Sequence, residues 1–188
     1  NSYPLFELPS KQVFLMIARL LISKGIREYV EAAKIVKANF PNVRFQLMGK
    51  LENNSLYINR NELVSWIDQG VIEYLGEVDS VQSTLQSCRY FILPSYYREG
   101  VPRSILEALS TGRPITTDTP GCRETVTHEK NGLLVQPKNP TALADAMIKL
   151  INEKDEVIKK MAEESYLKAK DKFEINKVNK SMLEIMDL

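Results

Sequence analysis

The chain has 188 residues, of which 44% are hydrophobic and 26% charged, enough for one domain with a single sizeable core and too apolar for a disordered tail. Lys and Arg number 25 against 24 Asp and Glu, so no global positive field announces a nucleic-acid binder, and none is expected as a partner. The balance is uneven along the chain, with eight basic residues against three acids in residues 1–50. Two cysteines in unrelated contexts, Cys88 and Cys122, and a single histidine, His128, provide neither a disulfide scaffold nor a zinc framework, and the cytosol is the default compartment. The longest apolar runs, such as Val13 to Ala18, fall far short of the roughly 20 residues a spanning helix needs.

The opening residues, 1–12, carry two prolines and no hydrophobic period and read as a linker remnant. From there short apolar runs alternate with helical patterns, the signature of a parallel sheet wound with helices. The first strand is expected over Val13–Ala18 and the first helix over Ile26–Asn39, stopped where Pro41 disfavours helical geometry at Phe40. Strands then follow at Arg44–Met48, Val71–Tyr74, Tyr90–Leu93, Pro114–Thr117 and Leu133–Val135. Helices are expected between them, at Asn61–Gln69, Val81–Ser87, Ser104–Thr111, Arg123–His128 and Thr141–Asn152. Residues 153–188 are a Lys- and Glu-rich helical stretch with a break near Phe173–Asn176 and no strand. Their closing apolar residues, from Val178 to Leu188, should dock on this domain or on another. Six strands with flanking helices give an α/β fold whose ligand crevice lies at the strand C-termini, where helices begin with unpaired N–H groups.

Two loops at that edge carry charge suited to an anion. After the first strand, Arg19 and Lys24 precede the flexible Gly25. A guanidinium fork and a compact ammonium make a plausible phosphate clamp, although solvated loop cations would read the same way. After the fourth strand comes Pro94-Ser-Tyr-Tyr-Arg-Glu-Gly-Val-Pro-Arg-Ser104, leading into a helix that holds Glu107 among Ile105, Leu106, Ala108 and Leu109. A carboxylate in such company is costly unless it is paired or binds something. A first-turn acid favoured by the helix dipole is the bland alternative for Glu107, and an ordinary loop acid for Glu99. The backbone N–H groups near Gly100 and Val101 and at the helix start suit an anion.

The run Glu99-Gly-Val-Pro-Arg-Ser-Ile-Leu-Glu107, with Pro120-Gly-Cys-Arg-Glu-Thr-Val126 and Asn131-Gly-Leu-Leu-Val135, resembles the donor-binding half of retaining glycosyltransferases of family 4, in the GT-B class. Two glutamates separated by seven residues are that family's hallmark. Ala18–Gly25 is similar to its first phosphate loop and Val71–Val78 to its segment beside the nucleotide base, so the resemblance spans roughly residues 13–150 in the family's order. It implies a Rossmann-like doubly wound sheet of about six strands over residues 13–152, with C-terminal helices over 153–188 that pack on this domain or on a preceding one. The donor would be a nucleotide-diphosphate sugar, UDP first and GDP second. The acceptor would be a glycan or lipid-linked sugar of surface polysaccharide synthesis, met through an N-terminal domain outside this sequence, without which the chain would turn over little.

Carried over by position, the resemblance gives Arg19 and Lys24 to the donor diphosphate, Glu99 to sugar hydroxyls and Glu107 to ribose hydroxyls. The backbone of Gly100, Val101, Pro102, Ser104, Ile105 and Leu106 would touch sugar and phosphate, and that of Val78 the base. Such enzymes are thought to transfer with retention by same-face attack, with no protein nucleophile. The chain contains no Asp-x-Asp pair, so no metal or other cofactor is expected, with Arg and Lys serving as the cation. Pro120-Gly121-Cys122 departs from the second glycine many relatives have there, and Cys122 is read as structural. His128 is read as a surface residue near a helix end. A peripheral contact with the inner face of a membrane is a further expectation for the whole protein. Two other readings remain: a non-enzymatic nucleotide- or partner-binding module, and half of a sugar-nucleotide epimerase, which a single histidine argues against.

Overall fold

The computed structural model describes residues 7–78, 81–98, 100–111 and 114–173. Six strands form one all-parallel sheet: β1 (Val13–Ile17), β2 (Arg44–Met48), β3 (Glu73–Gly76), β4 (Tyr90–Leu93), β5 (Pro114–Thr117) and β6 (Leu133–Val135). Their spatial order is β3-β2-β1-β4-β5-β6, the doubly wound arrangement whose strand order reverses between β1 and β4. The helices are α1 (Ile26–Asn39), α2 (Arg60–Asp68), α3 (Val81–Ser87), α4 (Arg103–Thr111), α5 (Pro140–Ile151) and α6 (Asp155–Phe173). Strands β1, β4 and β5 are buried along their whole length, which is why they read as unbroken apolar runs rather than alternating ones.

The centre of the core is aromatic. Phe14 of β1 stacks on Phe45 of β2 at 5.3 Å between centroids and on Tyr90 of β4 at 4.6 Å. Tyr29 of α1 meets Phe45 edge-on and sets its hydroxyl 3.0 Å from the Phe14 carbonyl oxygen. That polar handle satisfies the phenol inside an apolar layer. On the α1 side, α5 packs along α1; elsewhere α6 packs along α4.

Most expected boundaries hold to within one residue, and two do not. The edge strand β3 begins at Glu73 rather than Val71 because the Val71 N–H donates to the Trp66 carbonyl at 3.0 Å, closing the turn after α2 instead of joining the ladder. The helix expected over Arg123–His128 is a turn-rich loop. There Thr125 Oγ1 donates to the Cys122 carbonyl at 2.6 Å, Asn131 Oδ1 accepts the Thr127 N–H at 2.6 Å, and Asn131 Nδ2 donates to the Thr125 carbonyl at 3.1 Å. Side-chain partners within hydrogen-bond reach offered this backbone an alternative to the helix ladder, and they won. His128 accordingly lies at no helix end: its Nδ1 accepts the Leu134 N–H at 3.0 Å. The break expected at Phe173–Asn176 and the closing apolar segment lie outside the described residues, apart from Phe173 itself, the last residue of α6.

The entry of the chain is fastened at the opposite edge of the sheet. Arg89, only 3% exposed, donates to the Pro9 carbonyl at 2.7 Å and to the Tyr90 hydroxyl at 3.0 Å, and it also pairs with Asp155 at the start of α6. One guanidinium thus ties the entering segment, the start of β4 and the start of α6 together.

Candidate functional site

The C-terminal ends of β1, β2 and β4 converge by backbone contact that only glycine permits. A Cβ at Gly25, whose φ is +81°, would stand 2.2 Å from the Pro94 carbonyl oxygen. A Cβ at Gly49 would stand 1.8 Å from the Ala18 oxygen. Hydrogen bonds lock the same convergence: Tyr96 N–H to the Ser23 carbonyl at 3.0 Å and Leu20 N–H to the Lys50 carbonyl at 3.0 Å. The β5 end joins through Thr119 Oγ1, which donates to the Ser95 carbonyl at 3.1 Å, and through Thr117 Oγ1, which reaches the same oxygen. The crevice at the switch point therefore has a stiff floor.

Lys24 ends the single 3₁₀ turn Ile22–Lys24 and is only 7% exposed. Its ammonium lies 5.9 Å from the ring centroid of Tyr97, whose own side chain is 53% exposed on the rim. Lys24 is thus a nearly buried cation on the loop that follows β1. Arg19 is exposed in the preceding loop. On the β6 side, Lys138 sets its ammonium 4.7 Å from the Tyr96 ring, carrying a backbone φ of +57°. This pairing of Tyr96 and Tyr97 with lysines is invisible in sequence, since it joins loops that are distant along the chain.

Helix α4 starts at the crevice edge. Gly100 is exposed, Val101 half-buried and Pro102 buried. The Pro102 carbonyl accepts the N–H groups of Ile105 at 3.2 Å and Leu106 at 3.3 Å. Those two donors are committed within the helix, and Ile105 is itself a core residue. The N–H groups of Arg103 and Ser104 precede the first intrahelical bond and are the open ones. Glu107 is the fifth residue of α4, beyond the first turn, which holds no acid, so the dipole alone does not explain it. It is half-buried, and burial pushes its carboxyl above the ordinary 4.5, opposed by the positive charge of Arg103. Arg103 lies four residues before Glu107, on the same helix face. Glu99 lies outside the described residues.

At the other end of the crevice, half-buried Val78 follows β3 and packs against the core. A cavity of about 350 Å³ beside it is lined by Lys50, Arg60, Leu63, Tyr74 and Glu77 among others, and the Tyr74 hydroxyl donates to the Gly49 carbonyl at 2.7 Å. A larger cavity of about 580 Å³, lined by Lys11, Phe40, Arg44 and Ile151 among others, opens at the opposite edge of the sheet. It has no share in the crevice. Cys122 is fully buried. No group of three or more His, Cys, Asp or Glu that could hold a metal ion occurs among the described residues.

A profile for glycosyl transferases group 1 matches residues 11–153. The chain belongs to this family. Among curated relatives, it is 32% identical over 148 residues to an N,N'-diacetylbacillosaminyl-diphospho-undecaprenol alpha-1,3-N-acetylgalactosaminyltransferase of Campylobacter jejuni, covering 78% of this chain and 37% of that protein. It is 30% identical over 146 residues to a UDP-Gal:alpha-D-GlcNAc-diphosphoundecaprenol alpha-1,3-galactosyltransferase of Escherichia coli, covering 76% of this chain and 37% of the relative. The chain therefore spans well under half the length of these relatives. The fold matches TarM with a TM-score of 0.86 at 19% identity, covering 100% of this chain and 38% of TarM. It matches Anabaena HepE, solved with UDP-glucose, with a TM-score of 0.81 at 22% identity, covering 95% and 49%. The architecture is thus that of a GT-B glycosyltransferase domain, as expected. No helix among the described residues is long and apolar enough to cross a membrane.

Proposed function

We propose that this chain is the donor-binding half of a retaining glycosyltransferase that moves a sugar from a nucleotide-diphosphate donor, UDP-linked by preference, to a glycan or lipid-linked acceptor in surface polysaccharide synthesis. The observation that carries the reading is the crevice at the β1/β4 switch point, where buried Lys24 stands on one loop and half-buried Glu107 on the helix that follows β4. Lys24 and Arg19 hold the diphosphate and offset the negative charge that grows on it as the glycosidic bond breaks. Glu107 accepts hydrogen bonds from the ribose hydroxyls, Glu99 from the sugar, and the backbone at Val78 meets the base. The open N–H groups at the start of α4 add to phosphate binding.

The cations make a metal ion unnecessary at the diphosphate, and no cofactor is required. The acceptor is bound by a domain outside residues 1–188, consistent with the relatives' greater length and with the undecaprenol-linked sugars in their names. Residues 1–12 connect to that domain, residues 13–152 form the nucleotide-sugar domain, and residues 153–188 pack on this domain or on the one outside this sequence; of them, α6 lies along α4. The whole protein works in the cytoplasm, against the inner face of the membrane where such acceptors reside. The test is transfer by the full-length protein from UDP-hexoses and UDP-N-acetylhexosamines to short diphospho-lipid-linked sugars, with the anomeric configuration of the product read by NMR. The expected product keeps the donor's configuration; no transfer across these acceptors, or an inverted product, contradicts the proposal.

A further inference from the structure

We infer that Lys138 is a positioning residue of the crevice: its ammonium, over the Tyr96 ring, pins the loop after β4 to the loop after β6 and so raises nucleotide affinity without touching the ligand. The inference rests on the donor-site reading above. Lys138 stands between β6 and α5 with a backbone φ of +57°, in the left-handed region that a Cβ penalises and glycine enters freely. Its neighbours leave it little choice. Asn139, the next residue, caps α5 by accepting the Ala142 N–H at 2.9 Å, and its side-chain amide donates back to the Gln136 side chain at 3.3 Å. The backbone must therefore turn sharply in the few residues between strand and helix, a turn that glycine would make without strain.

The side chain is what distinguishes lysine from glycine here. Lys138 is exposed, and among the described residues no hydrogen bond or ion pair engages its ammonium, which lies 4.7 Å from the Tyr96 ring centroid. Tyr96 is half-buried; burial first, then the Glu28 carboxylate, push its phenol above the ordinary 10.0, against the opposing charge of Arg27. The ring therefore offers the cation the π face of a neutral phenol. An exposed cation–π contact contributes no more than the left-handed backbone costs, so it gives folding nothing that glycine would not match. What it adds is a link between loops. Tyr96 is already tied to the loop after β1 through its N–H on the Ser23 carbonyl, at 3.0 Å. The next residue, Tyr97, sets its ring 5.9 Å from the Lys24 ammonium. Lys138 thus braces, from the β6 side, a loop whose other contacts reach the cation assigned to the diphosphate.

The test is calorimetric titration of UDP and GDP into wild type, Lys138→Met, Lys138→Arg, Lys138→Gly, Tyr96→Leu and the Tyr96→Leu/Lys138→Met double variant, with a thermal melt of each. The expected result is a loss of about two- to fivefold in nucleotide affinity for Lys138→Met and Lys138→Gly, the size of one exposed cation–π contact, with affinity kept in Lys138→Arg. Lys138→Gly should melt no lower than wild type, which separates positioning from stability. In the Tyr96→Leu background, Lys138→Met should lose nothing further. Unchanged affinity in Lys138→Met, or a Lys138→Gly protein that melts lower, would overturn the assignment. An equal loss with and without the Tyr96 ring would overturn it too, since Lys138 would then act on the ligand itself. Should Tyr96→Leu not fold, the Met, Arg and Gly variants decide alone. If wild type binds neither nucleotide, the donor-site reading fails and this inference with it; if Lys24→Met weakens binding but Lys138→Met does not, only this inference fails.

Discussion

Gly25 and Gly70 provide a paired test of the claim that backbone convergence builds the crevice floor. Both have positive φ, +81° and +65°, so alanine at either position pays a left-handed backbone penalty of about 1–2 kcal/mol. At Gly70 nothing lies within 4 Å of the added Cβ, whereas at Gly25 the Pro94 carbonyl oxygen would stand 2.2 Å away. That oxygen belongs to backbone between β4 and its loop and cannot yield without parting the two strand ends, which adds about 1–3 kcal/mol of overpacking strain. Gly70→Ala should therefore cost about 1–2 kcal/mol and Gly25→Ala about 2–5 kcal/mol, both by urea unfolding with unchanged m-value. Only Gly25→Ala should also lose nucleotide affinity, because only it moves the Lys24 turn. Equal costs at the two positions, or a Gly25→Ala protein that binds nucleotide as well as wild type, would refute the reasoning.

Three further outcomes are expected. Glu107 has its carboxyl raised by burial, so the unfolded chain releases this proton first as pH climbs through 4.5, and folding loses stability from there up to the raised value; Glu107→Gln should melt above wild type at pH 7, match it below pH 4, and lose nucleotide binding at both ends of that range where binding is measurable. At Arg89, which is 3% exposed while Asp155 is 60% exposed, Arg89→Ala should cost about 1–3 kcal/mol by removing the donors to the Pro9 carbonyl and the Tyr90 hydroxyl, and Asp155→Asn about 1 kcal/mol or less, in denaturant titrations. Glu73, held below 4.5 chiefly by its hydrogen bond with Arg44, contributes stability that is present above 4.5 and lost as pH falls through its depressed value. Because the pair is more than 40% exposed on both sides, Arg44→Met should remove no more than about 1 kcal/mol at pH 7 and progressively less as pH falls below 4.5, measured by thermal melts across that range.

The sheet was legible because its strands are short, apolar and buried, so burial pattern and strand position coincide at Val13–Ile17, Tyr90–Leu93 and Pro114–Thr117. Val71 and Ile72 show where that coincidence breaks: both are buried, yet they serve a turn, and apolarity alone does not separate a strand from its approach. At Arg123–His128 a helix-like apolar spacing lost to Thr125 and to Asn131, a partner six residues downstream of Thr125. Glu107 stood out in sequence as an acid among apolar neighbours, and it lies half-buried in α4. The contacts of Lys24 with Tyr97 and of Lys138 with Tyr96 required the chain to be folded, because nothing local pairs those residues.

The most direct measurement is calorimetric titration of UDP, and of GDP in parallel, into wild type, Lys24→Met and Glu107→Gln, each with and without EDTA. The account predicts wild-type binding of one nucleotide that survives EDTA and falls at least tenfold, about 1.4 kcal/mol, in each variant while both remain folded. Binding that vanishes with EDTA would contradict the metal-free site, and binding unchanged in both variants would place the nucleotide somewhere other than the β1/β4 crevice.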